Sequence, residues 1–297
     1  MTDSHIPTGI PPAEIDWPRV RRCEYEVSQW FNYSYPAPIH DLRHQLVVVP
    51  PARFGDQVRQ VYGVSVSEPG EISTRLDSFA NTVLDARIPL VTESIDFNTR
   101  ATIERSGAAR PRTLRREWLT DARLLEHTAR TAIDPSIVEV AESLRGSGIL
   151  NFALAERVNR WVHGHMTYEQ DVTSIRTTAA EALQQAAGVC QDYSHLMLAI
   201  CRHLGLPAFY VSGHLLGEGA THSWVEVVLP ANDESDHAQG WALDPTHGRR
   251  VDLTYLTVAV GRDYGDVAPT SGRYRAGHGG QLVGHKEVRV TRVDYDE

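Results

Sequence analysis

The stretch GVCQDYSHLMLAICRHLGLP, residues 188–207, decides how the rest of the chain is read. Leu196, Met197, Ile200, Cys201 and Leu204 fall three, four, seven, eight and eleven places beyond Tyr193, which is one stripe of a buried helix. Gly205 suits the position just past a helix and Pro207 forbids continuation, so the spacing predicts a helix from Cys190 to Leu204. Cys190 then stands at the helix N-terminus, where unpaired N–H groups and the helix dipole favour an anion. A thiolate is such an anion. Gly188 lets the backbone turn sharply before it, and the same N–H groups can hold an oxyanion. An isolated cysteine is ordinarily a small core residue. Cys201 fits that description because it lies on the apolar stripe, and Cys23, in a predicted strand with no base nearby, fits it too.

Two downstream segments offer partners for a thiol. In ATHSWVEVVL, residues 220–229, His222, Trp224, Glu226 and Val228 alternate with Ser223, Val225, Val227 and Leu229, the pattern of a half-buried strand. His222 begins it, and a strand start holds an imidazole rigidly enough to meet a thiol. GWALDPT, residues 240–246, reads as a short strand whose last residue, Asp244, precedes an Asp-Pro turn. If the two strands pair across residues 230–239, His222 and Asp244 are expected at opposite ends. Adjacency then calls for an offset pairing or a bend.

Bulk properties narrow the function classes. With 297 residues, two domains are expected. Net charge is −9, and the Lys and Arg residues are scattered along the chain without forming a phosphate-binding stripe. Nucleic acid is therefore not an expected partner. The first twenty residues lack an apolar segment of the signal type, and no run approaches the roughly 18 apolar residues that span a bilayer. Three widely spaced cysteines argue against a disulfide framework. These features lead us to expect a cytoplasmic protein without a membrane partner.

Punctuation by proline and glycine divides the chain. Residues 1–20 form a lead-in segment and residues 21–106 a β-rich domain. There Cys23, Tyr25, Val27, Gln29, Phe31 and Tyr33 alternate, Leu42 to Val49 is β-branched, and Ile88 to Ile103 alternates again. The pattern predicts a β-sandwich. GAARPRTLRR, residues 107–116, has the composition of a linker, and residues 117–297 are expected to form the second domain. In it, Asp134-Pro135 and Asn151 mark helix starts, the second helix carrying Leu154, Val158, Trp161, Val162 and His165 on one face. Thr178 and Glu181 have capping-box spacing ahead of a short helix ending by Gly188.

GVCQDYSHLMLAICRHLGLPAFYVSG, THSWVEVVLP and GWALDPTHG together resemble the three signature blocks of bacterial transglutaminase-like proteins, in the same order and with similar gaps. The likeness extends to GRDYGDVAPTSGRYRAG at 261–277, and to RLDSFAN at 75–81 in a β-rich N-terminal region of the family's kind. It thus covers nearly all of the chain after the first twenty residues. What the resemblance implies is an α+β fold in which a β-sandwich-like domain precedes a papain-like core of helices on an antiparallel sheet. It also implies a Cys-His-Asp triad, carried here by Cys190, His222 and Asp244.

The activity implied is cleavage of a peptide or side-chain amide by a thiol hydrolase, either a protease or an amidase. Amine transfer, as in a transglutaminase or ligase, is the alternative within the enzymes, and a non-catalytic peptide-binding module the alternative outside them. Tyr168 and Gln191 are candidates for a second oxyanion donor, and Asp263 and Tyr264 for the border of the cleft. No cofactor and no metal are expected. His163 and His165 are the nearest histidine pair, their spacing puts them on different helix faces, and HExxH or CxxC spacing is absent.

Overall fold

The computed structural model of the chain describes residues 9–107, 110–219, 221–231 and 236–296. Its first half is a run of strands: β1 (Val20–Ser34), β2 (Ile39–Val49), β3 (Arg53–Phe54), β4 (Gln57–Val66), β5 (Glu71–Leu76), β6 (Thr82–Val91) and β7 (Ser94–Ser106). On β7 the residues Ile95, Phe97, Ala101 and Ile103 are buried at alternate positions, because successive side chains point to opposite faces of a sheet. Leu42, Leu46, Leu84 and Ile88 meet Phe31 and Phe97 between two packed sheets. The expected sandwich is present.

The second half supplies β8 (Arg112–Arg115), α1 (Ala122–Leu125), α2 (Pro135–Leu144), α3 (Phe152–His165), β9 (Thr167–Tyr168), α4 (Ala179–Gln185), β10 (Ala187–Gly188) and α5 (Cys190–His203). It continues through β11 (Ala208–Leu215), β12 (His222–Pro230), β13 (His237–Asp244), β14 (Arg249–Arg250), β15 (Tyr255–Gly261), α6 (Tyr264–Val267), β16 (Thr270–Arg275) and β17 (Gln281–Tyr295). The predicted caps form as expected. Asp134 and Asn151 accept the backbone N–H groups of Ile137 and Leu154, and Thr178 with Glu181 closes a capping box. Among the described residues no helix is long and apolar enough to cross a membrane.

Six strands make the sheet under α5, five of them in the order β14-β13-β12-β11-β15 and the sixth, β8, beside β13. One face of this sheet packs Val225, Val227 and Leu243 against α2, α3, α4 and α5. The other lays Phe209, Trp224 and Tyr255 toward the sandwich. The molecule is thus three layers: helices, central sheet, sandwich.

The expected domain boundaries change in two places. Four residues of the predicted linker are β8, whose Arg112 and Arg115 pair with Gly240 and His237 of the central sheet. The end of the predicted second domain is not part of it either. β16 pairs with β2 and β17 with β1 along most of its length, so the chain returns to complete both sheets of the sandwich. β17 is an edge strand and mostly exposed, so it lacks the alternation that marks a core strand. Of the lead-in, Ile10 bridges to Val290 and Ile15 is buried, while residues 1–8 lie outside the described residues.

Candidate functional site

Cys190 is the first residue of α5, where the sequence placed it. Its entry is fixed by Asp192, whose carboxylate accepts the Val189 N–H at 2.9 Å and the Thr173 hydroxyl at 2.7 Å. Burial pushes the Asp192 carboxyl up from its ordinary range. Gly188 is required by crowding: a Cβ there would lie 2.5 Å from the Asp192 Oδ2.

His222 opens β12 and Asp244 closes β13. The expectation that they stand at opposite ends is overturned by elementary hairpin geometry, since in an antiparallel pair the start of the first strand lies beside the end of the second. The register Val225↔Leu243 accordingly sets Asp244 opposite Trp224, two positions from His222 on the same face, so the two side chains meet diagonally. His222 Nε2 donates to Asp244 Oδ2 at 2.8 Å, and the Cys190 side chain is hydrogen-bonded to the His222 ring. His222 is 2% exposed and Asp244 0%, so the pair lies away from bulk water. Burial opposes charge on the imidazole, but its hydrogen bonds with Asp244, Cys190 and Glu218 outweigh it and raise His222 to about 12. Burial likewise opposes ionisation of Asp244. Donation from His222, His247 and Tyr255 outweighs it and holds the carboxyl well below the usual range.

Four further residues complete this arrangement, and sequence reasoning did not single them out. The Tyr255 hydroxyl donates to Asp244 Oδ2 at 2.7 Å, and Arg249 Nε donates to that hydroxyl at 3.0 Å. His247 Nδ1 reaches the same Oδ2 at 2.7 Å. Glu218 spans the two histidines, with Oε2 3.3 Å from His222 Nδ1 and Oε1 3.5 Å from His247 Nε2. His222, Asp244, His247 and Glu218 therefore close a ring of four side chains, each in contact with the next. His247 stood within the quoted GWALDPTHG block, but no periodicity marks a residue whose contact arises only when a turn closes. Beneath the thiol, the fully buried Tyr210 feels the charge of Cys190 and is hydrogen-bonded to Ser223, whose Oγ is 3.2 Å from that of Ser194 on α5.

The remaining candidates are distributed differently. Tyr168 bridges Gly188 in a two-residue parallel ladder and keeps its side chain exposed beside the entry to α5. Gln191 is buried, and its amide donates to the Ser174 carbonyl at 3.3 Å. Asp263 accepts the Gly265 N–H at 2.6 Å and faces Arg130 at 3.5 Å. The Tyr264 N–H donates to His195 Nε2 at 3.2 Å. Asp263 and Tyr264 thus secure α6 against the helix layer, with their recorded contacts made there and not on the Cys190–His222 pair.

His163 Nδ1 bonds the Thr246 carbonyl and His165 Nε2 the Leu183 carbonyl, on separate faces of α3. A potential ligand set of another kind exists: single donor atoms of His222, Asp244 and His247 lie within 4.8 Å of one another. All three of those atoms are engaged in the hydrogen bonds described above.

An uncharacterized protein of Mycobacterium leprae is 32% identical over 161 residues, covering 51% of this chain and 54% of its own length. Uncharacterized proteins of Mycobacterium bovis and Mycobacterium tuberculosis are 38% identical over 122 residues, covering 37% of this chain and 38% of theirs. The chain spans about half the length of the first relative and less of the others. A solved structure of a candidate cysteine protease from Cytophaga hutchinsonii shares the fold, with a TM-score of 0.70 at 18% identity over 93% of both chains. Residues 139–245 match the transglutaminase-like superfamily core and residues 25–104 the bacterial transglutaminase-like N-terminal region. The chain belongs to the transglutaminase-like superfamily.

Proposed function

We propose that the protein is a thiol hydrolase, a protease or amidase, with Cys190 as nucleophile, His222 as base and Asp244 as the residue that orients the base. The observation that carries this reading is the connected line from a thiol at a helix N-terminus, through a buried imidazole, to a buried carboxylate at 2.8 Å. The Cys190 thiolate attacks the amide carbonyl and a C–S bond forms. The C–N bond breaks as the leaving amine takes a proton from His222. Water then attacks the thioester, gives a proton to His222, and releases the acid and the thiolate. Free N–H groups in the first turn of α5 would hold the oxyanion. A cytoplasmic setting belongs to the same reading, since the three cysteines are unpaired and such a compartment keeps thiols reduced.

Transfer to an amine is the second reading, and Glu218 favours it. Its partly exposed carboxylate lies beside His222 Nδ1, where an incoming nucleophile would surrender its proton. A cationic amine is attracted to that position and water is not.

Iodoacetamide labelling against pH tests the base of both readings. Burial pushes the Cys23 thiol to about 11 and the Cys201 thiol to about 12, so these two should react slowly. Cys190 is expected to react at least tenfold faster near neutral pH, with the rate falling in His222→Ala. A Cys190 rate that follows an ordinary thiol pKa of about 8.5 and ignores His222 would leave the non-catalytic peptide-binding module as the better account.

A further inference from the structure

Arg43, Arg87 and Arg273 are remote in sequence and stand in one line in the fold. The register of β2 with β6 sets Arg43 opposite Arg87, and that of β16 with β2 sets Arg273 opposite Arg43. Their neighbours Leu42, Ala86 and Ile88 point into the sandwich core, so the row faces outward, and all three arginines are exposed. Like charges directly opposite each other on a sheet repel. Two nearby carboxylates are engaged elsewhere: Asp85 pairs with Arg75 at 2.8 Å, and Asp41 pairs with Arg275. Glu71 stands opposite Arg87 in the edge strand and ends the row. Among the described residues none of the three arginines makes an ion pair. On a chain of net charge −9 this is a local excess of the opposite sign.

The row lines a groove of about 520 Å³ that Gln45, Ser73, Ser271 and Asp85, the last paired with Arg75, also border. That volume lies within the roughly 300–1,000 Å³ of small-molecule sites. We propose that this groove binds linked phosphates, an oligophosphate whose anionic groups lie along the three guanidinium groups.

Charge density selects the ligand class. Adjacent strands are about 4.8 Å apart, so three guanidinium groups on long flexible side chains can close on one compact polyanion, whereas same-side carboxylates of an extended peptide are spread about 6.8 Å apart. No Phe, Tyr or Trp lines the groove to stack a base, which disfavours single-stranded nucleic acid. Linked phosphates carry denser charge than a peptide, and the planar guanidinium pairs with their oxygens two at a time. Ser73 and Ser271 stand at the border of the row as hydroxyl donors.

Inorganic tripolyphosphate titrated into the full chain at low salt, followed by calorimetry, tests this proposal. Wild type and Arg160→Gln, a change on α3 far from the row in the chain, should bind alike within about twofold. Arg43→Gln should bind at least tenfold more weakly, and Arg87→Gln should repeat the loss. Folding of Arg43→Gln is checked by its melting temperature, expected no lower than wild type because a repulsive charge is removed. Tripolyphosphate should raise the melting temperature of wild type and Arg160→Gln alike and that of Arg43→Gln less. Absence of heat with wild type, or equal affinity for wild type and Arg43→Gln, overturns the proposal. Displacement of tripolyphosphate by a tighter-binding polyglutamate also overturns it and assigns the face to an acidic polypeptide.

Discussion

At the scale of single residues, the coupling of His222 and Asp244 makes a statement about stability as well as chemistry. His222 is raised to about 12 in the folded chain. Its stabilising contribution is therefore complete below the unfolded imidazole value of about 6.5 and is lost as pH rises toward the folded value. Asp244 is depressed, so its contribution is complete above the unfolded value of about 3.9 and is lost as pH falls. The pair stabilises most between those two unfolded values. Urea unfolding of wild type and His222→Gln across pH 5.5 to 9 should show the wild-type advantage shrinking above about pH 6.5, by at most about 1.4 kcal/mol per pH unit. An advantage that stays constant over that range would mean that His222 contributes only by packing against Trp224 and Tyr255, whose rings lie 6.2 and 5.9 Å from its own. Local marks put Cys190 at a helix start, His222 at a strand start and Asp244 at an Asp-Pro strand end, but it was the family resemblance that joined the three as candidates. Glu218 and Tyr255 carry no such mark, since their roles depend on where a loop and a distant strand come to rest.

At the scale of elements, the instructive strand is β15, the edge of the central sheet. An edge leaves backbone groups without partners, and buried ones must find them. Two carboxamides from the first half of the chain supply them. Gln57 Nε2 donates to the Thr257 carbonyl at 2.7 Å while its Oε1 accepts the Thr257 N–H at 2.9 Å. Asn81 does the same for Val260, at 2.7 and 2.8 Å. Each amide imitates a residue of a neighbouring strand and ties the sandwich to the central sheet. Gln57→Leu keeps most of the volume but strands a buried N–H and a buried carbonyl, so it should cost roughly 2 to 4 kcal/mol. Urea unfolding measures it, and a loss under about 0.5 kcal/mol, the size of an ordinary surface change, would show that water replaces the amide without penalty. Helices were easier to read than these contacts. Caps at Asp134, Asn151 and Thr178 lie within three residues of the N–H groups they satisfy, whereas Gln57 and Thr257 are separated by two hundred positions.

At the scale of the whole molecule, chain order and spatial order part company after α6. The sequence divides naturally near residue 107, yet β16 and β17 carry the chain back to β2 and β1. That return is what collects Arg273 beside Arg43 and Arg87, a cluster invisible in a sequence whose basic residues look scattered. It also means that neither half should fold alone. β17 runs along β1 from Ser34 to Val20, and Val290 packs with Cys23, Tyr25 and Ile103 in the core that joins sandwich to central sheet. Arg105 on β7 reaches across the same junction to the carbonyls of Asp252 and Tyr255, and the Tyr25 hydroxyl reaches that of Leu253. Truncation after Ala268 would strip an edge strand from each sandwich sheet and uncover β1, β2 and that shared core. The shortened chain is expected to lose its cooperative thermal transition, to bind a hydrophobic dye and to elute as aggregate, as followed by circular dichroism, dye fluorescence and size exclusion. A truncated chain that stays monomeric and melts cooperatively within a few degrees of the full one would instead make the returning strands an appendage, and the site around Cys190 independent of them.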